Sequence, residues 1–159
     1  MKKTIFEWLT DYNRYHKNHT NKIIHWICIP LIIFSLFGIL KQIPTIYTFD
    51  SLHLDVDVLL IFIICVSLFY IRLSKNLAIG MFITSMATRI FIYQLSEISN
   101  INDYEIHFYI LIFIFAWIGQ FLGHKIEGKK PAFFKDLQFL LIGPLWQLSF
   151  IYDKLKIKI

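Results

Sequence analysis

Apolar residues in this chain gather into five long runs, Ile23–Leu40, Val56–Ile71, Leu77–Leu95, Phe108–Leu122 and Leu137–Tyr152, parted by short polar stretches. A helix that crosses a bilayer needs about 20 apolar residues, and the runs approach that length once long polar side chains at their ends reach toward water. The pattern predicts an all-α integral membrane helical bundle, a single domain over residues 1–159. Four transmembrane helices are expected over approximately 23–41, 56–73, 77–95 and 106–122. The fifth run differs because Gly143-Pro144 falls near its middle, where proline removes a backbone donor and breaks a helix. Residues 132–153 are therefore expected to form a broken, re-entrant or interface-lying helical segment, with a fifth full span as the alternative.

Ahead of the first run, Phe6, Leu9, Tyr12 and Tyr15 recur at helical spacing, with Ile5 and Trp8 close to the same stripe. Residues 1–18 read as an N-terminal amphipathic helix lying in the interface. The polar stretch Lys17–Asn21 follows as a turn-prone break.

Basic residues fix an orientation. Lys2, Lys3, Arg14, Lys17 and Lys22 precede the first run, Arg72 and Lys75 stand between the second and third, and Lys125, Lys129, Lys130 and Lys135 follow the fourth. The other connections carry Asp50, Asp55 and Asp57, or Glu97, Asp103 and Glu105. By the positive-inside rule the basic segments are cytoplasmic. Both termini are then cytoplasmic, in a bacterial inner membrane or, in a eukaryote, the endoplasmic reticulum. No cleavable signal peptide is expected, because the first apolar run starts after about twenty polar-rich residues.

Composition agrees: 57% of the 159 residues are hydrophobic and 17% charged, with mean hydropathy +0.58. The net charge of +5 sits in short loops beside apolar runs, so anionic lipid headgroups explain it and no nucleic-acid partner is expected. Cys28 and Cys65 lie in separate apolar runs and read as small buried hydrophobes.

The candidate chemistry lies in two polar clusters at the basic ends of the runs. The first runs from Tyr15-His16 to His25, followed by Pro30. On an unbroken helix His16 and His25 would face opposite ways, at about 100° per residue. They converge only if the chain turns between them, and Asn18-His19-Thr20-Asn21 supplies that turn. His19 is an alternative ligand if the helix continues past His16. In the second cluster Gln120, His124 and Glu127 share a helix face. The bland reading is a capping network in which Glu127 pairs with Lys129 or Lys130. The functional one is that His16, His25 and His124 bind a metal, with Gln120 or Glu127 orienting the ligands. Such donors suit iron(II), zinc, copper or nickel, and softness alone does not choose.

Arg89, inside the third run, is a functional-site suspect because a lone charge there is costly, with snorkelling or pairing to Glu97 as alternatives. His53 and His107 fall at the opposite side, and Trp26, Trp117 and Trp146 read as an aromatic belt.

Together the clusters resemble the 2-hydroxy fatty acid dioxygenase family. The matching pieces are Tyr15-His16, Asn18, Asn21, His25 and Pro30, then Gln120-Phe121, Gly123-His124, Glu127, Lys130 and Pro131-Ala132, with Gly143-Pro144 later. The resemblance implies an iron(II) (Fe2+) enzyme of fatty acid α-oxidation that uses dioxygen to shorten a 2-hydroxy fatty acid by one carbon. It carries over His16, His25 and His124 as catalytic metal ligands, with Asn21, Gln120, Glu127 and Lys130 as substrate-binding or supporting residues. Lys129 or Lys22 would also be available to the carboxylate. The compact spacing around Glu127 is a departure from the family pattern. The partners implied are the 2-hydroxy fatty acid, dioxygen and membrane lipid; the oligomeric state is left open. The competing readings are a non-catalytic lipid-binding or assembly membrane protein, and a zinc-dependent lipid hydrolase.

Overall fold

The computed structural model describes residues 3–49, 54–98, 104–128 and 133–159. Among these the chain forms α1 (Ile5–Arg14), α2 (His19–Lys41), β1 (Tyr47–Phe49), β2 (Leu54–Val56), α3 (Val58–Ile71), α4 (Lys75–Ile98), α5 (Glu105–Glu127) and α6 (Phe133–Lys154). The architecture is helical throughout, apart from one short antiparallel hairpin, in which Thr48 pairs with Asp55.

Each of α1, α2 and α3 starts at a side-chain cap. Thr4 and Glu7 form a reciprocal capping box on α1, Asn18 accepts from the N–H groups of Thr20 and Asn21 at the start of α2, and Asp57 accepts from Leu60 N–H on α3. These caps satisfy donors that a helix terminus otherwise leaves unpaired.

Three helices, α2, α4 and α5, are long and apolar enough to cross a membrane. The second expected span, 56–73, is shorter as a helix than expected: α3 covers only Val58–Ile71. Fourteen residues reach about 21 Å, short of a hydrocarbon core about 30 Å thick. The reason lies at its ends, since Leu54–Val56 pairs in the hairpin and Asp57 starts the helix late. Ile64, Leu68, Ile83, Phe115 and Ile118 face outward, as helices presenting an apolar surface to lipid would.

α2 packs most extensively against α5, and small residues set how closely. A Cβ on Gly119 would lie 2.5 Å from Cys28 Sγ, and one on Gly123 2.5 Å from Asn21 Oδ1. Two glycines four apart on α5 thus let the backbones approach, as small residues do where membrane helices meet.

α6 departs from its expected form. It runs through Gly143-Pro144 without interruption, and Ile142–Gln147 are buried. Its neighbours all belong to one end of the bundle. Tyr70 Oη, at the end of α3, donates to Leu141 O at 2.8 Å. Gln147 Nε2 donates to His25 O near the start of α2 at 3.0 Å. Tyr152 Oη donates to Asn76 O at the start of α4 at 2.9 Å. Hence α6 lies across that end, and packing on several sides holds the proline-containing helix together.

α1 packs on α6 through Ile5, Leu9 and Tyr12. This shifts the expected stripe: Phe6 is 63% exposed, because steps of three residues drift about 60° around a helix each time. Trp146, expected in an interfacial belt, is buried and donates to Asn13 Oδ1 at 2.8 Å. Cys28 is buried as expected, whereas Cys65 is exposed.

Arg89 is paired, but with Asp57 at 2.9 Å rather than with Glu97. It also donates to Asp55 O at 3.0 Å, and Tyr93 Oη donates to the same Asp57 carboxylate. With the partly buried Lys41–Glu105 pair and Ser96, this network closes the end of the bundle opposite α6. Arg89 therefore has a structural explanation.

Candidate metal centre

The turn between α1 and α2 comes earlier than the sequence suggests. It occupies residues 15–18, while Asn21 already lies inside α2. Tyr15 closes α1, and the chain reverses so that the His16 ring stacks on Tyr12, with centroids 4.0 Å apart and planes 6° apart. His16 Nδ1 meets Tyr12 O at 2.7 Å. His25 repeats the device one helix later, its Nδ1 3.0 Å from Asn21 O. In each case an N–H donated to the carbonyl four residues back fixes the tautomer and leaves the Nε2 lone pair for another partner. Both Nε2 atoms are buried with no hydrogen-bond partner.

His124, on α5, completes the group. Its ring centroid is 4.8 Å from that of His25 and 5.4 Å from that of His16, and His16 and His25 are 4.3 Å apart. One nitrogen from each ring lies within 4.8 Å of the others. The three expected metal-binding histidines are thus brought together from the α1–α2 turn, α2 and α5. His19 stays exposed at the start of α2, away from this group, and His107 is exposed at the far end. His53, Lys129 and Lys130 lie outside the described residues.

Glu127 holds the arrangement together. Its carboxylate accepts from the backbone N–H of Lys17 and of Asn18 and from Asn21 Nδ2, each at 2.9 Å. It pins the turn carrying His16 to the end of the helix carrying His124. Asn21, fully buried, also donates to Tyr15 O at 3.2 Å while its own carbonyl holds His25. Gln120 lines the same cavity as the histidines and is buried. Asn21 and Glu127 thus hold the histidines in place, and Gln120 forms part of the cavity wall beside them.

Burial pushes His16 down to about 4, more than its hydrogen bond to the Tyr12 carbonyl raises it. The imidazole is neutral near pH 7, the form that binds metal. Buried, uncharged nitrogens converging without partners are what an imidazole-ligated ion needs and are costly without one. The residues fit such a group. The cavity beside them, about 40 Å³, has room for an ion and a small polar headgroup, since one water-sized sphere needs about 10–15 Å³ of such space.

The sequence did not single out the aromatic wall. Tyr12, Phe139 and Trp146 enclose His16, with Trp146 5.7 Å from it between centroids. A tyrosine four residues before a histidine at a helix end was the available signal for Tyr12. Trp146 had none, because its contact depends on how α6 crosses the bundle.

The family model described as 2-hydroxy-palmitic acid dioxygenase Mpo1-like matches residues 2–155. A curated relative from Saccharomyces cerevisiae, named 2-hydroxy-palmitic acid dioxygenase MPO1, is 29% identical over 135 residues, 84% of this chain and 71% of its own. No solved structure matches.

Proposed function

The chain belongs to the Mpo1-like family, and from that premise we propose that it is a membrane-embedded, iron(II)-dependent dioxygenase that shortens a 2-hydroxy fatty acid by one carbon. The observation that carries this reading is the pair of buried, unpartnered Nε2 atoms of His16 and His25 beside His124. Three converging imidazoles that leave such atoms unsatisfied favour a bound ion over histidines that only fill interfacial hydrogen bonds.

In balance, the 2-hydroxy acid and one dioxygen give the shortened acid, carbon dioxide and one water. The electrons lost by the carbinol and carboxyl carbons match those that dioxygen takes up. His16, His25 and His124 would hold the iron(II), which when bound would supply the oxygen chemistry. The chain's own residues prepare that site. Tyr12 and Asn21 carbonyls orient two of the rings, and Glu127 keeps turn and α5 in register. Gln120 offers an amide to the substrate headgroup. Lys22 at the same end supplies positive charge for the carboxylate. Tyr12, Phe139 and Trp146 keep bulk water from the reacting carbons.

Three helices long and apolar enough to cross a membrane among the described residues support a membrane location. In this reading the histidine end and both termini face the cytoplasm, with α1 and α6 at the interface. The test is anaerobic purification in detergent, iron analysis, then addition of 2-hydroxyhexadecanoic acid and dioxygen. Pentadecanoic acid is the expected product. Turnover of lipid without oxygen consumption would instead support a hydrolase.

A further inference from the structure

The histidine cavity is too small for an acyl chain, so a long-chain substrate must place its tail elsewhere. Two apolar spaces adjoin it. An inner pocket of about 60 Å³ shares Ile32, Ile33 and Leu140 with the histidine cavity. A groove of about 540 Å³ between α2 and α4, floored by α6, shares Ile33, Met81 and Pro144 with that pocket. Ile33 lines all three spaces. The groove opens on the lipid-facing surface beside Trp26, which is 39% exposed. It runs to Phe34 and Phe91, whose rings stand 6.1 Å apart at its far end. From His25 to Phe34 along α2 is about 14 Å at the helical rise, a length that suits an extended acyl chain.

Resting on the dioxygenase reading, we propose that the acyl tail leaves the histidine cavity past Ile33 and lodges in the groove between α2, α4 and α6. The polarity of the path supports this occupant. No charged side chain lines the inner pocket or the groove, and the groove is walled mainly by apolar side chains, with Trp26, Thr84, Thr88 and Gln147 offering its polar atoms. Such a wall favours methylenes over water by about 0.8 kcal/mol for each one buried. The open flank lets a fatty acid enter sideways from the bilayer. Ile33 and the groove residue Ala87 then set how well a long tail is accepted.

The test combines chain-length selectivity with a readout that needs no catalysis. Ala87→Trp fills the groove at a lipid-facing position of α4 far from the histidines. The iron-loaded variant is expected to lose about tenfold or more in kcat/KM for 2-hydroxyhexadecanoic acid, while 2-hydroxyoctanoic acid is turned over as by the wild type and iron content is unchanged. Equal effects on both acids, or none, would overturn the proposal. In parallel, iron-loaded wild-type protein in nanodiscs is irradiated with 2-hydroxyhexadecanoic acid carrying a diazirine at its tail. Label is expected within residues 81–91 and 144–151, displaced by unlabelled 2-hydroxyhexadecanoic acid. Label spread evenly around the apolar belt, or not displaced, would mark ordinary lipid partitioning and sink the tail site. Competed groove labelling without turnover would leave the tail site standing and reject the reaction. Turnover with label elsewhere would do the reverse.

Discussion

Glu127, in the last turn of α5, accepts the backbone N–H of Asn18 at 2.9 Å, although the two residues are 109 apart in sequence. Asn18 is the cap of α2, and the same carboxylate takes Lys17 N–H and Asn21 Nδ2. One acidic side chain thus joins the two halves of the histidine cluster.

Replacing that carboxylate should loosen the cluster without removing a ligand. Glu127→Ala leaves three donors without their acceptor, at about 1–3 kcal/mol for each that stays buried. Loss of a supporting partner typically weakens metal affinity about 10–100-fold. Iron titration of Glu127→Ala and Glu127→Gln is expected to show this loss in the first and partial recovery in the second, which keeps one acceptor. Unchanged affinity in both would show that the turn holds its shape by other means.

The metal-free protein should lose stability in mild acid. His16 titrates at about 4 in the folded chain against 6.5 for the free side chain. Between those values the unfolded state binds more protons, so unfolding becomes easier as pH falls from 6.5 toward 4, and His16 contributes no slope above that window. The span corresponds to roughly 3 kcal/mol for this residue. Denaturant unfolding in detergent across this range should show the slope, and His16→Ala should make it shallower. A His16→Ala profile as steep as the wild type would contradict the burial argument.

Gly123 should tolerate no side chain. A Cβ there would stand 2.5 Å from Asn21 Oδ1 and 3.1 Å from His25 Cε1. Gly123→Val is expected to push α5 from α2 at about 1–3 kcal/mol, and to lower iron content while circular dichroism still reports a helical protein. Full iron occupancy in this variant would mean that the two helices have more room than the packing shows.

The far end of the bundle should matter for stability alone. Arg89→Ala strands the buried Asp57 carboxylate, and removing one partner of a buried pair costs about 3–5 kcal/mol. The thermal midpoint should fall, while protein that remains folded keeps its iron. Loss of iron with an unchanged midpoint would reopen a functional role for Arg89.

The legible part of this fold was what repeats locally. Apolar runs located α2, α4 and α5, and the face shared by Gln120, His124 and Glu127 could be read from spacing alone. The need for a turn between His16 and His25 also followed from the helical period. Its position did not, because Asn18 caps α2 and moves the reversal ahead of Asn21. Val56 and Asp57 looked like the start of an apolar span, yet strand pairing and the Asp57 cap claim them. Gly143-Pro144 predicted a break that packing around α6 overrides. The placement of Trp146 against His16, and of Arg89 against Asp57, depends on tertiary crossing and leaves no mark in local pattern.

The central claim is that His16, His25 and His124 grip one iron, and metal analysis of anaerobically purified protein tests it most directly. The account predicts near-stoichiometric iron in the wild type and its loss in each of His16→Ala, His25→Ala and His124→Ala, with His19→Ala unaffected. Iron retained by all three cluster variants, or absent from a wild type reconstituted with excess iron(II), would contradict it.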